Sequence, residues 1–261
     1  MCALKVPPLR VFITGASSGL GRALARYYAQ SGATLGLVAR KLGPLEKTAQ
    51  ELPVPNARYA IDVRDRLAMQ SAASDFIARF GCPDIVIASA GVSCGNLTEY
   101  AEDSLTFQTI LDINVMGTVN TFQPFIVPMR DIRRGVLVGI GSVAGIRGLP
   151  GGSAYSASKA ALMVYLEGLR VELARTGIHV TIACPGYIKT AMTAVNPYPM
   201  PFILSAEAAA QKIANAINHK RRLIVLPWQM AIVASVLKHL PDWVYDLVFA
   251  HAPRKPRNLP L

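Results

Sequence analysis

Residues 10–30 read RVFITGASSGLGRALARYYAQ, and three patterns follow one another inside them. RVFIT is a short apolar run with β-branched side chains, the mark of a buried strand. TGASSGLG then places Gly15, Gly19 and Gly21 in a turn, and GLGRALARYYAQ continues with a helical pattern. Glycines where a strand turns into a helix allow a tight bend. They also let backbone N–H groups approach a pyrophosphate, which the positive end of the helix attracts. A glycine pattern alone is weak evidence, so its surroundings decide its meaning.

Outward from this unit the alternation recurs. TLGLVA, ARYAI, DIVIAS, GVLVGI, HVTIAC and RLIVL read as further strands. Between them GPLEKTAQEL, RLAMQSAASDFIARF, residues 104–129, residues 153–176 and SAEAAAQKIANAINH read as helices. Strands alternating with helices imply a parallel sheet covered on both faces, and several strands are apolar at nearly every position, as such burial requires. The glycine turn therefore sits in the first βα unit of a doubly wound α/β domain, where a dinucleotide binds. The second strand ends LVARK. An acidic side chain there would bind the ribose 2′-OH of NAD, whereas Arg40 and Lys41 offer two cations to a 2′-phosphate. NADP(H) is the expected cofactor.

Composition bounds the alternatives. The 261 residues are 52% hydrophobic and 16% charged, with a formal net charge of +11. That excludes general disorder and allows one large domain. The basic residues are spread along the chain without nucleic-acid motif spacing, so no nucleic-acid partner is expected. Cys2, Cys82, Cys94 and Cys184 form no C-x-x-C, and the four histidines are scattered. Neither a metal nor a disulfide framework is expected, and free thiols fit a cytoplasmic setting. MCALKVPPLR lacks the apolar stretch of a secretory signal.

SAYSASKAAL, residues 153–162, carries Tyr155 and Lys159 one helical turn apart on one face. A neighbouring ammonium favours the phenolate, so Lys159 is expected to lower the phenol pKa; a fall of three units takes about 4 kcal/mol. The ordered motifs TGASSGLG (14–21), DV (62–63), ASAG (88–91), INVMGT (113–118), GSVAG (141–145), YSASK (155–159) and PGYIKT (185–190) resemble those of the short-chain dehydrogenase/reductase family. The resemblance runs from Arg10 to about Leu226. It implies a Rossmann-type fold with a seven-stranded parallel sheet. It also implies a catalytic tetrad of Asn114, Ser142, Tyr155 and Lys159. For the cofactor it implies Gly15, Ser17, Ser18, Gly19, Leu20 and Gly21 at the phosphates and ribose. Arg40 with Lys41 would meet the 2′-phosphate, and Asp62 and Val63 the adenine. Ala90, Gly91, Tyr155 and Lys159 would lie beside the nicotinamide ribose, and Pro185, Gly186, Ile188 and Thr190 would hold the carboxamide. Asn114 would anchor a water that joins Lys159 to solvent. Two positions depart from the family pattern: Ala88-Ser89 replaces a pair of asparagines, and Gly141 stands where a side chain is commoner.

These residues suit reduction of a carbonyl to an alcohol, or the reverse. Epimerisation or dehydration on the same apparatus and a nonenzymatic NADP-binding sensor are the alternatives. Residues 191–205 contain three prolines among Tyr, Met, Phe, Ile and Leu, which reads as an apolar substrate lid or equally as an apolar loop packed on its own domain or a neighbouring subunit, with Ser205 as N-cap of the next helix. An apolar ketone, aldehyde or acyl-type carbonyl is the expected substrate, and the resemblance implies a homodimer or homotetramer. Residues 1–227 form the expected catalytic domain, and 228–261 a helical extension dense in Trp, Leu and Val. The extension's uncharged stretch falls short of the roughly 20 residues that span a bilayer. It is read first as a subunit contact or pocket cover, with peripheral contact to an anionic membrane as the alternative.

Overall fold

The structure is a computed structural model and describes residues 8–259; Cys2 and the N-terminal stretch through Pro7 lie outside the described residues. Seven parallel strands form one sheet in the order β3-β2-β1-β4-β5-β6-β9. They are β1 (Arg10–Thr14), β2 (Thr34–Ala39), β3 (Asn56–Ala60), β4 (Ile85–Ala88), β5 (Gly135–Ile140), β6 (Ile178–Pro185) and β9 (Leu223–Leu226). A two-stranded ribbon, β7 (Ile188–Lys189) with β8 (Leu204–Ser205), stands beside it. Helices α1 (Gly19–Gln30), α2 (Leu42–Gln50) and α8 (Ala206–Asn218) cover one face; α3 (Arg66–Phe80), α5 (Gly117–Asp131) and α6 (Ser153–Glu172) cover the other.

The alternation of β1 shows how one strand feeds both cores. Val11 and Ile13 pack toward Leu24, Leu45 and Ile213, while Phe12 packs toward Phe76, Phe122 and Phe125. Gly36 on the neighbouring strand leaves the space that the Phe12 and Phe76 rings fill. Every residue of β2 and β4 is buried. That is why these strands lack an apolar–polar alternation.

One expected element is divided. Residues 104–129 form α4 (Asp103–Leu111), a π-helical turn (Asp112–Met116) and α5 rather than one α-helix. Asn114 lies in the π turn, where its side chain is held by the main chain of Val92. The C-terminal part of the expected helix 153–176 also stops early, at Glu172.

Between the two ribbon strands lies the short α7 (Ala191–Ala194); beyond β9, α9 (Trp228–His239) and α10 (Asp242–Phe249) fold back on the body. Met230 and Ala234 share a small apolar cluster with Val143. Arg147 fastens both helices: its guanidinium donates to the carbonyls of Leu237 and Leu240, pairs with Asp242 and lies over the Tyr245 ring. These carbonyls belong to the end of α9, where helical acceptors lack internal partners and a cation is favourable. The outer faces expose Trp228, Ile232, Val236, Trp243 and Leu247. Among the described residues no helix is long and apolar enough to cross a membrane.

Candidate active site

The sheet order reverses between β1 and β4, and a doubly wound sheet binds ligands at the carboxyl ends of strands that flank such a reversal. The glycine turn follows β1 and the ASAG segment follows β4, so the two meet there. Gly15 has φ +70°, and a Cβ on it would stand 2.8 Å from the Ala90 nitrogen. A Cβ on Gly21 would stand 2.2 Å from the Gly15 carbonyl oxygen. Both positions admit only glycine without movement of main chain. Gly15, Ser17, Ser18, Arg40, Asp62, Val63, Ala90 and Gly91 line one cleft. Lys41 is exposed beside it at the start of α2, and Leu20 turns its side chain into the core. Gly19 faces Thr190, whose methyl would lie 3.3 Å from an added Cβ. This brings the segment after β6 to the start of α1.

The replacement of two asparagines in ASAG has a local remedy. The Thr14 hydroxyl accepts the N–H groups of Ser89 and Ala90 at 3.2 and 3.4 Å. Gly141, the other departure, faces the Cys184 sulfur, which would lie 2.9 Å from a Cβ at that position.

The four expected catalytic side chains converge from different elements. Ser142 follows β5 by two residues, is buried, and accepts the Ala144 N–H at 3.1 Å. Lys159 is buried one turn along α6, where its ammonium donates to the Ile140 carbonyl at 2.7 Å and lies 5.7 Å from the Tyr155 ring centre. Asn114 and Lys159 face Gly91 together: a Cβ there would stand 3.2 Å from Asn114 Oδ1 and 3.7 Å from Lys159 Nζ. The Asn114 side chain is fully engaged. It accepts the Val92 N–H at 2.8 Å and donates to the Val92 carbonyl and the Ser158 hydroxyl at 3.0 and 2.9 Å.

The protonation balance corrects one expectation. Burial pushes the Tyr155 phenol above its ordinary value, and the nearby Ser142 side chain pulls the other way. Burial also lowers the neighbouring Lys159 ammonium, to about 8. The physical reason is desolvation, which disfavours both charged forms in one dry pocket. Asp62, expected at the adenine, is held below the usual carboxylate range by Arg64, which grips it with two guanidinium nitrogens.

Several residues of the site carry no strong local signal. Thr14 and Ser158 act through long-range hydrogen bonds. Asn96 donates to Ser153 and accepts the Ala154 N–H, fixing the start of α6 beside Tyr155. Tyr187 and Tyr198 face each other, with ring centres 6.5 Å apart. Among the described residues no group of three or more metal-ligating side chains gathers.

Comparison with known proteins agrees with this architecture. The family model for short chain dehydrogenases matches residues 10–198. An uncharacterized oxidoreductase of Myxococcus xanthus is 37% identical over 237 residues, covering 90% of this chain and 93% of the relative. The structure of an alcohol dehydrogenase from Thermococcus sibiricus, complexed with 5-hydroxy-NADP, superposes with a TM-score of 0.75 at 25% identity, over 84% of this chain and 95% of that one. A short-chain dehydrogenase/reductase from Burkholderia phymatum in complex with NAD shares the fold, with a TM-score of 0.81 at 23% identity over 96% and 98% of the two chains. With its glycine cradle, parallel sheet and sequence match in register over most of its length, the chain is an oxidoreductase belonging to the short-chain dehydrogenase family.

Proposed function

We propose that the protein uses NADPH to reduce a ketone or aldehyde with an apolar body to the alcohol, or catalyses the reverse with NADP. The observation that carries this reading is the gathering of buried Ser142, Tyr155 and buried Lys159, next to the cleft lined by Gly15, Arg40 and Asp62. The cradle fits a dinucleotide: Gly15 and Gly21 let the main chain of the turn pack tightly on itself and on Ala90, and the first amides of α1 have no intrahelical acceptor. Arg40 makes no ion pair among the described residues, and no carboxylate ends β2. These features favour a 2′-phosphate, which Arg40 and Lys41 would hold.

The nicotinamide, once bound, supplies the hydride. Ser142 would donate a hydrogen bond to the substrate oxygen and fix its direction. The raised phenol of Tyr155 stays protonated at neutral pH, which suits it to give a proton to the developing alkoxide. Lys159 has one N–H bond committed to Ile140, leaving others for ribose hydroxyls. Asn114, clamped to Val92 and Ser158, positions the π turn, and a water would share its main-chain carbonyl with the Thr118 hydroxyl. Gly19, Pro185, Gly186, Ile188 and Thr190 would close around the nicotinamide side, and Tyr187 with Tyr198 would screen the reacting carbonyl from solvent.

A homodimer or homotetramer is part of this proposal, supported by apolar side chains that α4, α5 and α6 leave exposed, among them Leu105, Val127, Val164 and Val171. The test of function is initial-rate NADPH and NADH consumption with ketones and aldehydes graded in chain length. NADPH-specific rates that rise with chain length are expected. Equal use of NADH would remove the 2′-phosphate assignment, and a preference for small polar carbonyls would remove the apolar substrate.

A further inference from the structure

The last described residues return from α10 across the site. Two rims flank the approach to Tyr155. One is the loop after β4, from Gly91 beside Lys159 out to Asn96, which is bonded to Ser153 and Ala154. The other is the segment that begins at α7, follows the ribbon strand Ile188–Lys189 and includes Tyr198. Residues 254–259 touch both. The Gly95 N–H donates to the Pro256 carbonyl at 2.9 Å, and the Leu259 N–H to the Cys94 sulfur at 3.3 Å. From the same segment, the Lys255 ammonium reaches across and donates to the Met192 carbonyl at 3.0 Å.

The segment is anchored beyond the first rim. Arg257 holds Asp103 with Nε at 2.8 Å and Nη2 at 3.2 Å, reaches Glu102 at 3.0 Å and covers the Tyr100 ring. Asp103 is itself buried and also accepts the Leu97 N–H at 2.7 Å. This is a forked, charge-assisted attachment with one end out of water, the geometry in which such a pair holds a fixed position. The close fit continues at Gly95, where a Cβ would stand 2.1 Å from the Lys255 carbonyl oxygen.

We propose that residues 254–259 form the outer wall of the substrate site, with Arg257 as its anchor and Lys255 as the tie that sets how large a carbonyl compound can enter. The inference rests on the carbonyl-reductase reading above and deepens it: the substrate body lies between the two rims, beneath the strap. Lys255 and Arg257 are positioning residues, not groups that meet the reacting atoms.

The test compares kcat/KM for a short aliphatic aldehyde and a bulky aryl or long-chain ketone in the full-length enzyme, Arg257→Ala and Lys255→Met. NADPH affinity is measured in each. Releasing the strap is expected to raise the bulky-to-small ratio by about fivefold or more in Arg257→Ala and by a smaller factor in Lys255→Met. The change should appear in KM for the bulky substrate, while NADPH affinity and kcat for the small one stay within about twofold. A global loss of stability would lower both substrates together and leave the ratio alone. Lys255→Met keeps the Arg257 anchor and decides the matter if Arg257→Ala does not fold. Unchanged ratios in an active enzyme would overturn the strap assignment only. A wild-type enzyme that turns over neither carbonyl would overturn the proposed function, and the strap assignment with it.

Discussion

The cofactor cradle and the substrate rim are built by opposite means. At the cradle, backbone meets backbone: the space for a Cβ on Gly21 is already taken by the Gly15 carbonyl, and Gly15 abuts Ala90. At the rim, long side chains reach main-chain carbonyls and carboxylates, as Lys255 does to Met192 and Arg257 to Asp103. A backbone contact cannot be adjusted without moving an element, whereas a rim contact can be removed one side chain at a time. On the proposed reading, the common chemistry rests on the rigid part and substrate choice on the adjustable part.

Gly21→Ala breaks the rigid side of this comparison. It is expected to destabilise the fold by about 3 kcal/mol or to abolish dinucleotide binding, because overpacking here meets main chain rather than a movable side chain. Thermal unfolding with and without NADPH checks it; an unchanged midpoint and affinity would show that the cradle is looser than its contacts imply. Arg40→Ala should cost about 2 kcal/mol of NADPH affinity, some thirtyfold, and leave NADH affinity unaltered, since only the charge-assisted phosphate bond is lost. Titration with both dinucleotides distinguishes this from a general loss.

A pH profile sharpens the same side. Lys159, lowered to about 8 by burial, carries its proton below that value and loses it above. Carbonyl reduction is therefore expected to hold level at neutral pH and to fall as pH rises through about 8. Because burial raises the phenol, Tyr155 remains an acid over this range. A falling limb that stays in place in Lys159→Arg would assign it to another group. The smallest effect is expected where α9 and α10 join the body. Arg147→Met should lower stability by about 1 kcal/mol through lost bonds to the end of α9, with NADPH affinity intact. Denaturant unfolding measures it, and a loss of cofactor binding would contradict the separation of the two regions.

Legibility in the sequence follows the same division. The strand RVFIT, its glycine turn and the apolar runs of β2 and β4 are visible because buried parallel strands and tight turns restrict which residues can occur locally. Ser142, Tyr155 and Lys159 are visible as ordered motifs. The break of 104–129 at Asn114 is not, because an apolar helical pattern does not reveal a side chain clamped to Val92 in another element. Thr14 beneath ASAG, Asn96 at the start of α6 and Arg257 on Asp103 are equally hidden. Their partners lie tens of residues or more away, and nothing in either local stretch marks the meeting. The raised phenol was hidden for a different reason: residue spacing shows the neighbouring charge but not the burial that outweighs it.

The central claim is that Tyr155 gives the proton in an NADPH-dependent carbonyl reduction. Its most direct test is single-turnover oxidation of bound NADPH by a reactive ketone in wild-type enzyme and in Tyr155→Phe, with NADPH affinity measured in both. The account predicts a rate lower by about 10³-fold in the variant, within the range expected for a positioned general acid, and an affinity unchanged within about threefold. A variant that oxidises NADPH as fast as the wild type would contradict it.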